Sequence, residues 1–109
     1  MAYDKALAER VRTVLTAQEG LIEKTMFGGI AFMVGGNICC GVLNDELMVR
    51  VGVDAHAHAL AQPEVRNFDL TGRPMKGWVV VAPQGVDSAE TLASWVEAGL
   101  SFARTLPSK

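Results

Sequence analysis

The chain has 109 residues, half of them hydrophobic, and its ten basic and twelve acidic side chains give a formal net charge of −2 at pH 7. A chain of this length forms one domain, here residues 1–109, and buries about two-thirds of its unfolded surface, so its core needs no metal or disulfide. A slightly acidic chain has no general attraction to nucleic acid or anionic membranes, and we expect no direct nucleic-acid binding. No stretch approaches the roughly eighteen apolar residues of a membrane span, and the N-terminus lacks a signal-like pattern, so we expect a soluble, cytoplasmic protein.

The N-terminal segment predicts an amphipathic helix. Asp4 can cap its first turn, and Gly20 ends it. The apolar side chains recur at helical spacing: Leu7, Val11, Val14 and Leu15.

The next thirty residues predict four antiparallel strands joined by tight turns. The strand-like runs are Leu21 to Phe27, Ile30 to Val34, Ile38 to Val42, and Glu46 to Val51. The second and third runs are apolar on both faces, whereas an antiparallel sheet normally leaves one polar face to water. We therefore expect helices of the same chain to cover part of the sheet and a second copy of the chain to cover the rest, giving a homodimer.

The C-terminal half predicts a short helix, one strand and a long helix. Asp54 can cap the short helix, which runs through Leu60 and stops before Pro63. Residues 64–77 are irregular, and Trp78 to Ala82 form the last strand. Asp87 and Glu90 resemble a capping box for a final helix that ends before Pro107.

This order of elements predicts an α+β fold. We expect a two-layer sandwich, with a mainly antiparallel sheet of about five strands and helices packed on it.

The two cysteines are neighbours in the third run. Alternation along a strand places Cys39 and Cys40 on opposite faces, where they cannot bridge each other, so we expect packed core thiols in a reducing compartment. The chain has no CxxC pair or set of four suitably spaced ligands. We expect no metal and no cofactor.

A cationic turn is the best candidate for a binding site. Arg73 and Lys76 flank Pro74, and together with Arg50 or Arg66 they can present positive charge to a phosphate or carboxylate. The structural alternative is that Arg73 pairs with an acid such as Asp69 while the Lys76 stem packs beside Trp78.

Groups suited to catalysis are scarce. His56 and His58 fall on different faces of a helix, and no nucleophile motif or phosphate-binding loop is present, so we expect no enzymatic activity. The strand region holds four methionines, which suit an adaptable protein-binding face if at least two are exposed on the same side of the sheet: Met26, Met33, Met48 and Met75.

Five short segments follow one another along the chain. They are Met26-Phe27-Gly28-Gly29 with Ile30-Ala31-Phe32, Cys40-Gly41-Val42, Leu47 to Val51, Thr71 to Trp78, and Trp95-Val96 before Gly99-Leu100. In this combination the chain resembles the N-terminal domain of the TfoX (Sxy) family, and the resemblance covers nearly all of it.

The resemblance implies a secretion-chaperone-like α+β domain with a part in transcriptional regulation. Members of the family assist the cyclic-AMP receptor protein at competence promoters, so a transcription regulator is the implied partner. Full-length members carry a second, C-terminal domain, whereas this chain ends at Lys109, and we expect a stand-alone version. The first hypothesis is a non-enzymatic module acting through protein contacts. The alternative is a small anion-binding or catalytic protein that uses the Arg73 and Lys76 turn.

Overall fold

The part of the chain that the structure describes contains three α-helices, six strands and one short 3₁₀ helix, Pro83–Gly85. The computed structural model describes residues 3–26, 28–69 and 75–107. The helices are α1 (Lys5–Leu15), α2 (Val53–Leu60) and α3 (Ala89–Arg104). The strands are β1 (Leu21–Met26), β2 (Gly29–Val34), β3 (Asn37–Leu43), β4 (Glu46–Arg50), β5 (Val65–Asn67) and β6 (Trp78–Val81).

The strands form one antiparallel sheet in the order β1-β2-β3-β4-β6-β5. This confirms the predicted α+β fold, with one strand more than the expected five. The additional strand, β5, lies in the segment predicted to be irregular. It has only three residues, too few to show an alternating pattern, and it forms at the sheet edge because Val65 pairs with Val81 of β6.

The main core lies between the helices and one face of the sheet. Leu7, Val11 and Leu15 of α1 are buried there, as the predicted spacing requires. The sheet contributes Ile30, Phe32, Cys40, Val42, Leu47, Val49, Val79 and Val81, and α3 contributes Leu92, Val96, Leu100 and Ala103. We call this the helix side of the sheet and its opposite the outer face.

Two predicted helix starts are wrong by one or two residues. Gly52, with φ 91°, precedes α2, and Asp54 lies within the first turn, where a carboxylate favours the helix dipole. Ser88 caps α3, because its extended backbone lets its hydroxyl accept a hydrogen bond from the Thr91 N–H at 3.1 Å. The predicted start of α1 is confirmed, since the Asp4 carboxylate accepts hydrogen bonds from the N–H groups of Ala6 and Leu7, but the helix ends at Leu15 and not at Gly20.

A β-bulge in β3 overturns the predicted positions of the cysteines. Phe32 pairs with Cys40 and Met33 pairs with Ile38, so Cys39 is an additional residue on β3. A bulge resets the alternation of a strand, and both thiols consequently lie in the helix-side core. Cys39 donates to the Cys40 sulfur at 3.8 Å. Both are fully buried and free, which confirms the prediction of packed core thiols.

These thiols should be unreactive while the protein is folded. The adjacent Cys39 thiol and burial raise the pKa of the Cys40 thiol, so it stays protonated near neutral pH. We expect Ellman's reagent to titrate neither cysteine in native protein and both in guanidinium chloride. Fast reaction of one thiol in the native state would contradict this packing.

An ion pair ties α1 to the edge strand β1. The Arg12 guanidinium donates two hydrogen bonds to the Glu23 carboxylate, both at 2.6 Å, and it also contacts Glu9. The bonds from Arg12 hold the pKa of Glu23 below its ordinary value. Stability from this pair is therefore present above the ordinary glutamate pKa of about 4.3 and is lost as the pH falls below it.

We expect Glu23→Gln to lower the free energy of unfolding at pH 7 by about 0.5 to 1 kcal/mol, because both side chains are about one-third exposed to solvent. The difference from the wild type should shrink as the pH falls below the ordinary glutamate pKa and disappear once Glu23 is protonated in the folded protein. Urea denaturation at several pH values measures this. Glu19→Gln, at an exposed position, is the control and should show no such pH-dependent difference. A loss that persists at acid pH would contradict the assignment.

Candidate functional site

The outer face of the sheet carries a continuous row of apolar side chains. Ile22 pairs with Met33, and Met33 pairs with Ile38, so the three side chains point the same way. Ile22 is 56% exposed, and the other two are partly exposed. No helix packs over this row in the described structure.

The four methionines of the strand region divide between core and surface. Met48 is buried in a small outer-face cluster with Phe68 and Val80, and Met75 packs beside it. Met26 and Met33 are partly exposed. They belong to alternate positions paired with Gly29 and Ile22, which places both on the outer face. Two accessible methionines on one face favour a protein-binding surface.

Arg50 is held between two aromatic rings at the end of β4. Its guanidinium carbon lies 5.1 Å from the centre of the Trp78 ring and 5.3 Å from the centre of the Phe102 ring. Cation–π contacts of this kind fix the side chain without using its N–H donors. Among the described residues no carboxylate lies within 4.0 Å of this guanidinium.

The other predicted cations are in different situations. Arg66 contacts Glu46 at 2.7 Å and Asp69 at 3.8 Å, so two carboxylates already neutralise its charge. Lys76 is exposed, and it forms no ion pair with a described residue. Arg73 lies outside the described residues. The structure thus offers Arg50 as an available guanidinium, while the wider anion site stays a prediction.

A groove with a volume of about 430 Å³ separates α2 from α3. Its lining consists mainly of small and uncharged side chains: Val51, Ala55, His58, Ala59, Gln62, Thr91, Ser94, Trp95 and Ala98. His56 lies away from the groove, and its Nε2 is 3.0 Å from the Asn67 Oδ1. The two histidines therefore face different directions, as their spacing predicts.

Two other classes of site, a metal site and a membrane span, find no support among the described residues, 3–26, 28–69 and 75–107. No three histidine, cysteine or acidic side chains come together there as candidate metal ligands. None of the helices described is long and apolar enough to cross a lipid bilayer.

The comparison with protein families decides the family of the chain. The model of the TfoX N-terminal domain matches residues 13–103, most of the 109 residues. The chain belongs to the TfoX N-terminal domain family. No curated protein and no solved structure matches it significantly.

The segments that carry the resemblance lie at structural junctions of the TfoX N-terminal domain. Gly41 faces the Ile30 carbonyl, and an added Cβ would be 2.6 Å from that oxygen. Gly99 packs α3 against β3 with even less space, since an added Cβ would be 2.2 Å from the Cys39 carbonyl oxygen. The turn at 71–74 lies outside the described residues. These positions support the fold of the TfoX N-terminal domain, whereas the exposed outer face, Arg50 and the groove are its candidate contact sites.

The groove was missed in the sequence. Its signal is the helical spacing of mostly small and polar residues on α2 and α3, a pattern that is also typical of an ordinary solvent-exposed face. The spacing becomes informative once the structure shows two such faces turned toward each other.

Proposed function

We propose that this TfoX N-terminal domain is a non-enzymatic cytoplasmic module that acts through protein contacts in transcriptional regulation, as a homodimer joined through its outer face. The exposed apolar row of Ile22, Met33 and Ile38 is the observation that carries the proposal. Contiguous apolar surface of this kind marks an interaction site when it lies on a folded, soluble domain.

The charges at the two edges of the outer face favour a second copy as the occupant. Lys24 lies at the β1 edge, paired with Ala31 on this face, and forms no ion pair with a described residue. At the opposite edge Arg66 is shared by Glu46 and Asp69, which leaves a net negative charge. A two-fold axis parallel to the strands and near the middle of the sheet brings Lys24 of one copy over the acidic edge of the other. The same axis places the apolar row of each copy, on β1 to β3, over β4, β6 and β5 of its partner.

The regulatory part of the proposal rests on the family. It is tested by affinity capture from nuclease-treated lysate of the native host with the wild type, Ile22→Lys and Val53→Lys. Val53 is 64% exposed and lies on α2, so its substitution is a matched control for Ile22. We expect a transcription regulator or polymerase subunit to co-purify with the wild type and with Val53→Lys, and to be lost with Ile22→Lys. If no protein co-purifies with the wild type, the proposal of a regulatory role is wrong.

The stacked guanidinium of Arg50 favours a second candidate function, the binding of a small anion. Its rotamer is fixed by Trp78 and Phe102, so an incoming phosphate or carboxylate meets preorganised donors. Arg66, by contrast, would have to release its carboxylates first.

Titration with inorganic phosphate, followed by Trp78 fluorescence in a Trp95→Phe background, tests the anion site. Arg50→Lys replaces the planar guanidinium with an ammonium group of the same charge. We expect this variant to lose the fluorescence response to phosphate. Arg66→Lys is the matched control and should leave it unchanged. An equal response in all three proteins would rule out Arg50 as the binding group.

A further inference from the structure

The groove between α2 and α3 has a shape that can accommodate a third α-helix. Along α2 its lining residues are Ala55, His58 and Ala59, with Gln62 just beyond the end of that helix, and along α3 they are Thr91, Ser94, Trp95 and Ala98. The α3 set follows the spacing i, i+3, i+4, i+7 and the α2 set the spacing i, i+3, i+4, so each helix turns one stripe toward the groove.

The two walls are held apart by their separate supports. α2 packs on β5 and β6, whereas α3 packs on β3, β4 and α1. Small side chains such as Ala55, Ala59 and Ala98 allow the backbone of a third helix to approach both walls. Val51 forms the floor, and the Trp95 ring supplies a large apolar contact.

The chain segments that line the groove contain acidic side chains but no lysine or arginine. Residues 51–65 and 77–103 contain no lysine or arginine. Asp54, Glu90 and Glu97 are exposed, and each lies about a quarter turn from its helix stripe on the side away from the core. None of the three carboxylates forms an ion pair with a described residue. The lining contains no lysine, arginine, aspartate or glutamate, and the rim carries carboxylates.

We infer that this groove binds an amphipathic α-helix of a partner protein, with the apolar stripe of that helix on Val51 and Trp95 and its flanking lysines or arginines on the acidic rim. The charge complementarity selects a basic helix, because an acidic one would meet carboxylates on both walls. The site is distinct from the outer face, so a dimer joined through the outer face leaves two such grooves free.

The test uses a synthetic peptide of about four helical turns, with leucines at i, i+3, i+4 and i+7 and lysines at the flanking positions. A peptide with glutamates in place of the lysines and a scrambled lysine peptide are its controls. Binding is followed in a Trp78→Phe background, where Trp95 is the only remaining tryptophan. We expect a blue shift of Trp95 fluorescence with the lysine peptide alone.

Variants locate the contact. Glu97→Lys should raise the Kd of the lysine peptide about fivefold at low salt, whereas Glu19→Lys makes the same charge change away from the groove and should not. Ser94→Phe fills the groove from an exposed helix position and should abolish binding with an unchanged melting temperature. Equal binding of the glutamate or scrambled peptide, no binding at low salt, or an identical response of Glu97→Lys and Glu19→Lys would overturn the inference. If no peptide binds but the neutral dye Nile red does, the inference is also overturned, because the groove would then be a site for a small apolar ligand.

Discussion

Gly99→Ala should lower the free energy of unfolding by about 2 kcal/mol, although the same change in an exposed helix normally stabilises by up to about 1 kcal/mol. The structure explains the reversed sign. A Cβ at Gly99 would lie 2.2 Å from the Cys39 carbonyl oxygen and 3.2 Å from the Val49 Cγ1. The carbonyl belongs to the backbone of β3, so α3 itself must move away from the sheet to make room.

Urea denaturation followed by far-UV circular dichroism measures this effect. Ser101→Ala is the control, because Ser101 is exposed on the same helix and its substitution should leave stability unchanged or slightly raised. We expect the melting temperature of Gly99→Ala to fall by about 8 °C. A Gly99→Ala protein as stable as the wild type would show that α3 does not pack on β3 at this distance.

Phe32→Ala should lower the free energy of unfolding by about 3 to 5 kcal/mol, a large share of the roughly 5 to 15 kcal/mol typical of a whole domain. Phe32 is fully buried at the centre of the helix-side core, on β2, and the guanidinium of Arg12 lies 6.0 Å from its ring centre. Truncation leaves a cavity that the surrounding strands cannot close, because they are fixed by hydrogen bonds on both sides of β2.

Phe102→Ala removes the same atoms at a partly exposed position and is the matched comparison. Its loss should be clearly smaller, since much of the Phe102 ring already contacts solvent, Gly52 and Arg50. The shift of the urea midpoint, at an unchanged m value, measures the loss of stability in Phe32→Ala and in Phe102→Ala. Equal losses in the two variants would contradict the position of the core.

Much of the fold is readable from local pattern. Period two identifies β2, β3 and β4, and the spacing of Leu7, Val11 and Leu15 identifies α1, because in each case the buried face is wide enough to leave a repeated signal. β5 escapes prediction because three residues carry no period. The bulge at Cys39 escapes it because the register is set by pairing with β2, a contact between strands that local alternation does not encode.

The candidate sites were predictable only in part. The exposed outer face follows from runs that are apolar on both sides, since the helices of one chain cover a single face. The availability of Arg50 and the pairing of Arg66 depend on which residues the fold brings beside them: Trp78 and Phe102 in one case, Glu46 and Asp69 in the other. These neighbours lie 20 or more residues away along the chain, except Asp69, and charge patterning along the chain cannot distinguish the two arginines.

Sedimentation equilibrium across a range of protein concentrations tests the central claim, that the outer face joins two copies. The wild type and Val53→Lys should sediment as dimers, whereas Ile22→Lys should sediment as a monomer with an unchanged melting temperature, because Ile22 is already 56% exposed within the monomer. Raised salt should weaken the wild-type dimer, since Lys24 faces the acidic edge of its partner. A wild type that stays monomeric at high micromolar concentration, or an Ile22→Lys protein that dimerises as well as the wild type, would contradict the account.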